Sequence, residues 1–254
     1  MEQLGGLFIL GIMVGAIGAL MGIGGGLLIV PVFLYVMGYS VQQTVGTAMV
    51  IVFFNALSGT ITYIQQDKIY LPAAWRFGLA TIPGAVLGGW VSQYFSGVGF
   101  QLAFGLFLIL VAGNMSLKVL MTEEEKADDE VLSFQGIKLG TVCSVFVGFL
   151  SSALGIGGGV IHVPMMNQVL KYPIHVAIAT STCILLISSV SGLAIHGFMG
   201  HILLGPALST GLGALAGARL GVKLAGQMAP RKLKLAFSGF VFIMGMKFVS
   251  STML

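Results

Sequence analysis

The stretch MGIGGGLLIVP, Met21 to Pro31, lies within an apolar run long enough for a membrane helix, yet it holds glycines and a proline, the residues a helix tolerates worst. A second copy, LGIGGGVIHVP, runs from Leu154 to Pro164. Non-helical backbone at membrane depth is tolerated only where it is buried in protein or lines a polar cavity. Each interruption therefore marks a site.

The bilayer follows from composition. Hydrophobic residues make up 57% of the 254 and charged residues 8%, with a mean hydropathy of +1.02; a soluble domain carries roughly 25% charged residues. Too few charges remain to hydrate the surface of a soluble protein of this size. The net charge of +4 then says nothing about nucleic acid, and Lys and Arg serve as topology markers. Cys143 and Cys183 sit in apolar runs without metal-ligand neighbours and read as small core residues. No metal and no cofactor is expected. The start, MEQLGGLFIL, lacks the positive flank and cleavage site of a signal peptide, so its apolar run is expected to stay.

The chain reads as one unit written twice at a constant offset of 133 residues. Gly155 to Gly159 fall on Gly22 to Gly26, Pro164 on Pro31, Tyr172 on Tyr39 and Thr180 on Thr47. Ser191-Gly192 match Ser58-Gly59, and Gly217-Ala218 match Gly84-Ala85, without a shift in register. The domains are thus residues 1–120, a first transmembrane repeat; 121–136, an acidic cytoplasmic linker; and 137–254, a second transmembrane repeat.

Each half holds five apolar pieces, in the first half Gly5 to Met21, Leu27 to Met37, Val41 to Ile64, Ala73 to Tyr94 and Val98 to Leu120. The piece after the glycines covers only about half a bilayer, which needs ~20 helical residues. Charge placement selects the topology. Lys68 and Arg76 border one turn of the first half, whose equivalent in the second half has no Lys or Arg. The next turn reverses the bias, with Arg219, Lys223, Arg231, Lys232 and Lys234 in the second half only. Corresponding loops then lie on opposite faces, and the halves are inverted copies with an odd number of crossings each. The expected fold is an all-α polytopic membrane protein of two inverted repeats, each a glycine-broken re-entrant helical hairpin plus three transmembrane helices. The hydropathy count alone gives the alternative, eight helices, four per half.

At each break the glycines allow positive φ and close approach of a substrate to the backbone. The helix that follows aims its N-terminus at the break, where free N–H groups and the dipole favour an anion. The substrate-binding residues expected are Gly24, Gly25 and Gly26 with Gly157, Gly158 and Gly159, joined by Thr47, Asn55, Ser58, Thr180, Ser181, Ser188 and Ser191 on the following helices. His162 stands where the first half has Ile29 and reads either as a ligand or proton carrier or as a histidine that hydrogen-bonds a carbonyl. His196 and His201, near the end of a helix, read as surface groups, and Arg219 as a snorkelling headgroup contact. GAVLGG, Gly84 to Gly89, and GARLG, Gly217 to Gly221, read as helix-packing faces. No acidic or His pair falls at corresponding apolar positions, and no enzyme is expected.

The two glycine breaks, each followed by Val-Pro (Val30-Pro31, Val163-Pro164), the two Ser-Gly pairs, and GAVLGG against GARLG resemble the sulfite exporter TauE/SafE family, over nearly the whole chain. The resemblance implies a transporter of sulfite, sulfonates or related organosulfur anions, with direction and exact substrate open. The function expected is a secondary transporter of small anions working by alternating access around a midplane pocket; the alternatives are a passive anion channel or a non-transporting membrane subunit. Its partners are a small anionic substrate and the lipid bilayer, with a homo-oligomer left open. Its place is the inner (plasma) membrane, as a multi-pass protein.

Overall fold

The computed structural model describes residues 2–94 and 134–250, with scattered helical residues between 98 and 116. Most of the acidic linker and about half of the fifth apolar piece of the first half lie outside the described residues. All regular elements described are helical. We label them α1 (Glu2–Met21), α2 (Gly26–Pro31), α3 (Val41–Ile64), α4 (Leu71–Val91), α5 (Phe134–Leu154), α6 (Gly159–Pro164), α7 (Ile174–Phe198), α8 (Leu204–Gln227) and α9 (Pro230–Ser250).

Among the described residues, five helices are long and apolar enough to cross a membrane: Leu4–Met21, Val41–Ile64, Ile137–Leu154, Ile174–Phe198 and Arg231–Ser250. The outward faces are apolar too, with Ile9, Met13, Leu110, Val142 and Leu204 exposed, as a lipid solvent requires. The first arm of each break is therefore a full-length helix, and the second arm is short. Cys143 and Cys183 are half-buried rather than core residues.

Starts and stops follow local chemistry. Ser40 and Gln43 close a capping box at the start of α3, with Gln43 N–H donating to Ser40 Oγ at 3.2 Å and Ser40 N–H to Gln43 Oε1 at 3.3 Å. Pro31 and Pro164 cannot donate a backbone hydrogen bond, and both short helices widen just after them into π turns, Val32–Val36 and Met165–Val169. The turns close alike, Met37 N–H on Val32 O and Leu170 N–H on Met165 O, both at 3.0 Å.

Packing exchanges helices between the halves. Gly11 and Gly15 of α1 abut the backbone of Thr210 and Ala214 on α8, while Gly213, Gly217 and Gly221 of α8 abut Phe8, Ile12 and Ala16. The numbers rise together, so α1 and α8 run parallel. In the same way Gly84 and Gly88 of α4 meet Val145 and Phe149 on α5, and Gly148 of α5 meets Thr81. These small residues let the backbones come together, as the two Gly-Ala motifs suggested. At the centre α3 and α7 run antiparallel: Gly59 lies against Thr182, and Gly192 against Met49.

Candidate substrate site at the crossed glycine breaks

After Met21 the chain turns through Gly22, Gly24 and Gly25 at φ of 70, 75 and 80°, and after Leu154 through Gly155, Gly157 and Gly158 at 69, 81 and 69°. A side chain at such angles costs roughly 1–2 kcal/mol per residue, so a non-glycine residue is disfavoured before any contact is counted. The turn folds back on its own helix, with Ile23 N–H donating to Gly18 O at 2.9 Å. Gly25 and Gly158 are the N-caps of α2 and α6, each without a side chain to satisfy the first-turn amides.

The two breaks cross. Gly26 packs on the backbone of Gly155 and Ile156, and Gly159 on that of Gly22 and Ile23. Gly24 and Gly157 lie between these contacts and share one neighbour, Val52 of α3; a methyl on Gly24 would sit 3.1 Å from Val52 and 3.2 Å from Leu185 of α7. Each break also touches the other half's long helix, Gly22 against Ile178 and Gly155 against Val45. The result is a buried crossing of two irregular backbone segments, flanked by the first turns of two short helices.

The family model for the sulfite exporter TauE/SafE matches residues 7–248. The chain belongs to this family. It is similar to "Probable membrane transporter protein YunE" of Bacillus subtilis, 28% identical over 96% of each chain. It is also similar to "Probable membrane transporter protein MJ0441" of Methanocaldococcus jannaschii, 27% identical over 94% of this chain and 93% of the relative. A probable membrane transporter of Xylella fastidiosa is 28% identical over 84% and 81%. No solved structure matches. The chain is a multi-pass membrane transporter, not an enzyme.

In this TauE/SafE protein the crossing brings together Gly24, Gly25 and Gly26 with Gly157, Gly158 and Gly159, and adds Ser181, whose hydroxyl donates to Gly22 O at 3.1 Å. Asn55 is buried and holds α1 through Nδ2 on Gly15 O at 2.7 Å, leaving its Oδ1 without a hydrogen-bond partner. Ser58 donates to Leu215 O on α8 at 2.7 Å. Ser188 is buried and Ser191 half-buried on α7. Thr47 and Thr180 serve helix ends. Thr47 Oγ1 accepts the Leu203 amide at 3.1 Å, and Thr180 Oγ1 the Tyr70 amide at 3.0 Å.

His162 is fully buried and its Nε2 lies 3.2 Å from Ser144 Oγ on α5. Ser144 gives its one proton to Gly140 O at 2.7 Å, so Nε2 carries the hydrogen and Nδ1 is a bare acceptor without a partner. Ser144 and Ser151, beside Gly158, escaped the reading of the sequence. The signal available was asymmetry: they stand where the first half has Gly11 and Gly18. His196 corrects an expectation. It is 0% exposed, bonded to a carbonyl on α5 and to His201, rather than a surface group. Arg219 is exposed on α8.

Proposed function

We propose that the protein carries a small anion, a sulfite, sulfonate or other organosulfur anion, by alternating access around the crossed glycine breaks. The observation that carries this reading is the contact of the two breaks, Gly26 on Gly155 and Gly159 on Gly22. Two short helices begin there without a capping side chain. Leu28 and Ile161 N–H bond back to Gly25 O and Gly158 O, and Gly159 N–H to Gly157 O, so the amides of Gly26, Leu27 and Val160 are the ones aimed at the crossing. Helix N-terminal amides favour negative charge. Contact between breaks from different halves also supplies what alternating access needs, a fixed site between two bodies that rock against each other.

In this reading the halves are inverted repeats and the second arm of each break is re-entrant. The antiparallel run of α3 and α7 supports it, as does the gathering of cations at one end. Lys68 Nζ would lie 3.2 Å from a methyl on Gly226 at the end of α8, next to Arg231, Lys232 and Lys234. That end is the cytoplasmic face of an inner membrane under the positive-inside rule.

The test is the melting temperature of the detergent-purified protein against sulfite, sulfate, thiosulfate, methanesulfonate and acetate. A ligand at 100 times its Kd stabilises a folded state by about 2.7 kcal/mol. A rise with sulfite or methanesulfonate and none with acetate supports the organosulfur reading; a rise with acetate alone overturns it. Uptake of radiolabelled sulfite into proteoliposomes against its gradient then separates a transporter from a passive channel, which only equilibrates.

A further inference from the structure

Tyr63 and His196 occupy equivalent places 133 residues apart and make the same bond. The Tyr63 hydroxyl donates to Ala19 O at 3.1 Å, and His196 Nε2 lies 3.1 Å from Ser152 O. Ala19 and Ser152 each stand three residues before the first glycine of a break. Each bond therefore ties a long helix to the segment leading into a break. Only the second bond is made by an imidazole, and only it is backed by a second ring: His196 Nδ1 is 3.1 Å from His201 Nδ1. The first half has Lys68 in place of His201.

The proton positions follow from donor and acceptor chemistry. A carbonyl only accepts, so His196 carries its hydrogen on Nε2 and offers a lone pair at Nδ1. His201 Nδ1 then donates, and His201 Nε2 is left as a lone pair on a half-buried ring. A first added proton enters at His201 Nε2 and leaves this bond in place; a second, at His196 Nδ1, would set two N–H groups face to face between adjacent cations.

We propose that the His196–His201 pair is a proton-binding site that ties pH at this face of the membrane to the clasp on the second glycine break. A neutral or singly charged pair keeps the clasp closed; a doubly charged pair parts, because two adjacent cations repel and are poorly solvated in a half-buried site. Burial holds His201 below the ordinary imidazole range, in keeping with a neutral pair near pH 7.

The surroundings leave the pair alone in this role. Gly46 of α3 abuts His201, and α3 carries no charged side chain. Arg76 of α4, Lys138 of α5, His175 of α7, and Arg219 and Lys223 of α8 lie toward the opposite end of the bundle. At the same end, the described titratable side chains are Tyr35, Tyr39, Tyr94 and Lys247, none of them a histidine or a carboxylate.

The sign is fixed by linkage. A histidine with a depressed pKa in the folded state binds its proton better when unfolded, so its stabilising effect is complete above the ordinary imidazole range and is lost as pH falls. The experiment uses the full chain in detergent, without substrate, so that its failure leaves the transport reading untouched. Melting temperature is followed between about pH 5 and 8, together with amide exchange of the α5 C-terminal segment, corrected for intrinsic rates, for the wild type, His196→Tyr and His201→Gln. His196→Tyr copies the first half and keeps a donor for Ser152 O. The wild type should lose melting temperature and α5 protection on acidification; His196→Tyr should keep its α5 protection and lose less melting temperature, the rest belonging to the other histidines. His201→Gln, at a half-buried position that tolerates change, should move the loss to lower pH. A His201→Gln or His196→Tyr protein with the wild-type pH profile overturns the proposal.

Discussion

The hydroxyl of Thr47 accepts a hydrogen bond from the amide of Leu203, at 3.1 Å, and so caps a helix of the other half. Its repeat partner Thr180 does the same for Tyr70 at 3.0 Å. Leu203 and Tyr70 are the N-caps of α8 and α4, and neither has a capping side chain of its own. A buried amide left unpaired costs about 1–3 kcal/mol. Thr47→Val and Thr180→Val should therefore each lower the melting temperature, while Thr47→Ser stays near wild type and anion-induced stabilisation survives in all three. A Thr47→Val protein that melts normally and has lost its response to sulfite would make the threonine a substrate ligand instead.

The left-handed glycines separate into two costs. Gly38 has φ of 68° with open space around it, whereas Gly25 has φ of 80° and a methyl there would lie 2.7 Å from Val14. Gly38→Ala should lose only the left-handed penalty, about 1–2 kcal/mol. Gly25→Ala should lose more, because Val14 must move as well. Chemical denaturation of both variants checks the order. Equal losses would mean that the break relaxes freely and packs against nothing of consequence.

The glycine breaks were legible because five-residue GIGGG runs have no other use in an apolar segment, and the offset of 133 made the second copy unmistakable. The crossing was not legible. A sequence shows that Gly26 and Gly155 are small, but not that they face each other across the repeat. The same blindness misplaced His196: its position near a helix end suggested water, but the carbonyl of Ser152, 44 residues earlier, lies over it. Thr47 and Thr180 stand out in the sequence as matched polar groups. Their partners, the amides of Leu203 and Tyr70, carry no mark in the sequence, since every residue but proline has an amide.

Contact between the breaks has its own signature. Gly26 and Gly159 take ordinary helical angles, so a methyl there meets only the other break, the backbone of Gly155 for one and of Gly22 for the other. Backbone cannot rotate aside as a side chain does. Gly26→Ala and Gly159→Ala should each destabilise by about 1–3 kcal/mol, the usual cost of overpacking. Once the crossing has spread, a second methyl costs less, so the double variant should lose less than the sum, with a coupling of about 0.5–3 kcal/mol. Strict additivity in a double-mutant cycle would place the two breaks in independent surroundings.

The orientation of the halves can be read directly from labelling. Lys68 follows α3 and Lys232 opens α9, and Lys68 reaches the end of α8 beside Gly226. Inverted repeats place both lysines on one face of the membrane, while parallel repeats of four crossings each place them on opposite faces. Single-cysteine variants Lys68→Cys and Lys232→Cys, on a background with Cys143 and Cys183 replaced, are treated in intact cells with a membrane-impermeant maleimide and again after lysis. Both should be protected in cells and labelled after lysis, since the positive-inside rule puts this cationic end in the cytoplasm. One labelled and one protected would remove the inverted arrangement. It would also remove the shared midplane site, because parallel halves give no reason for their breaks to meet at one depth from opposite sides.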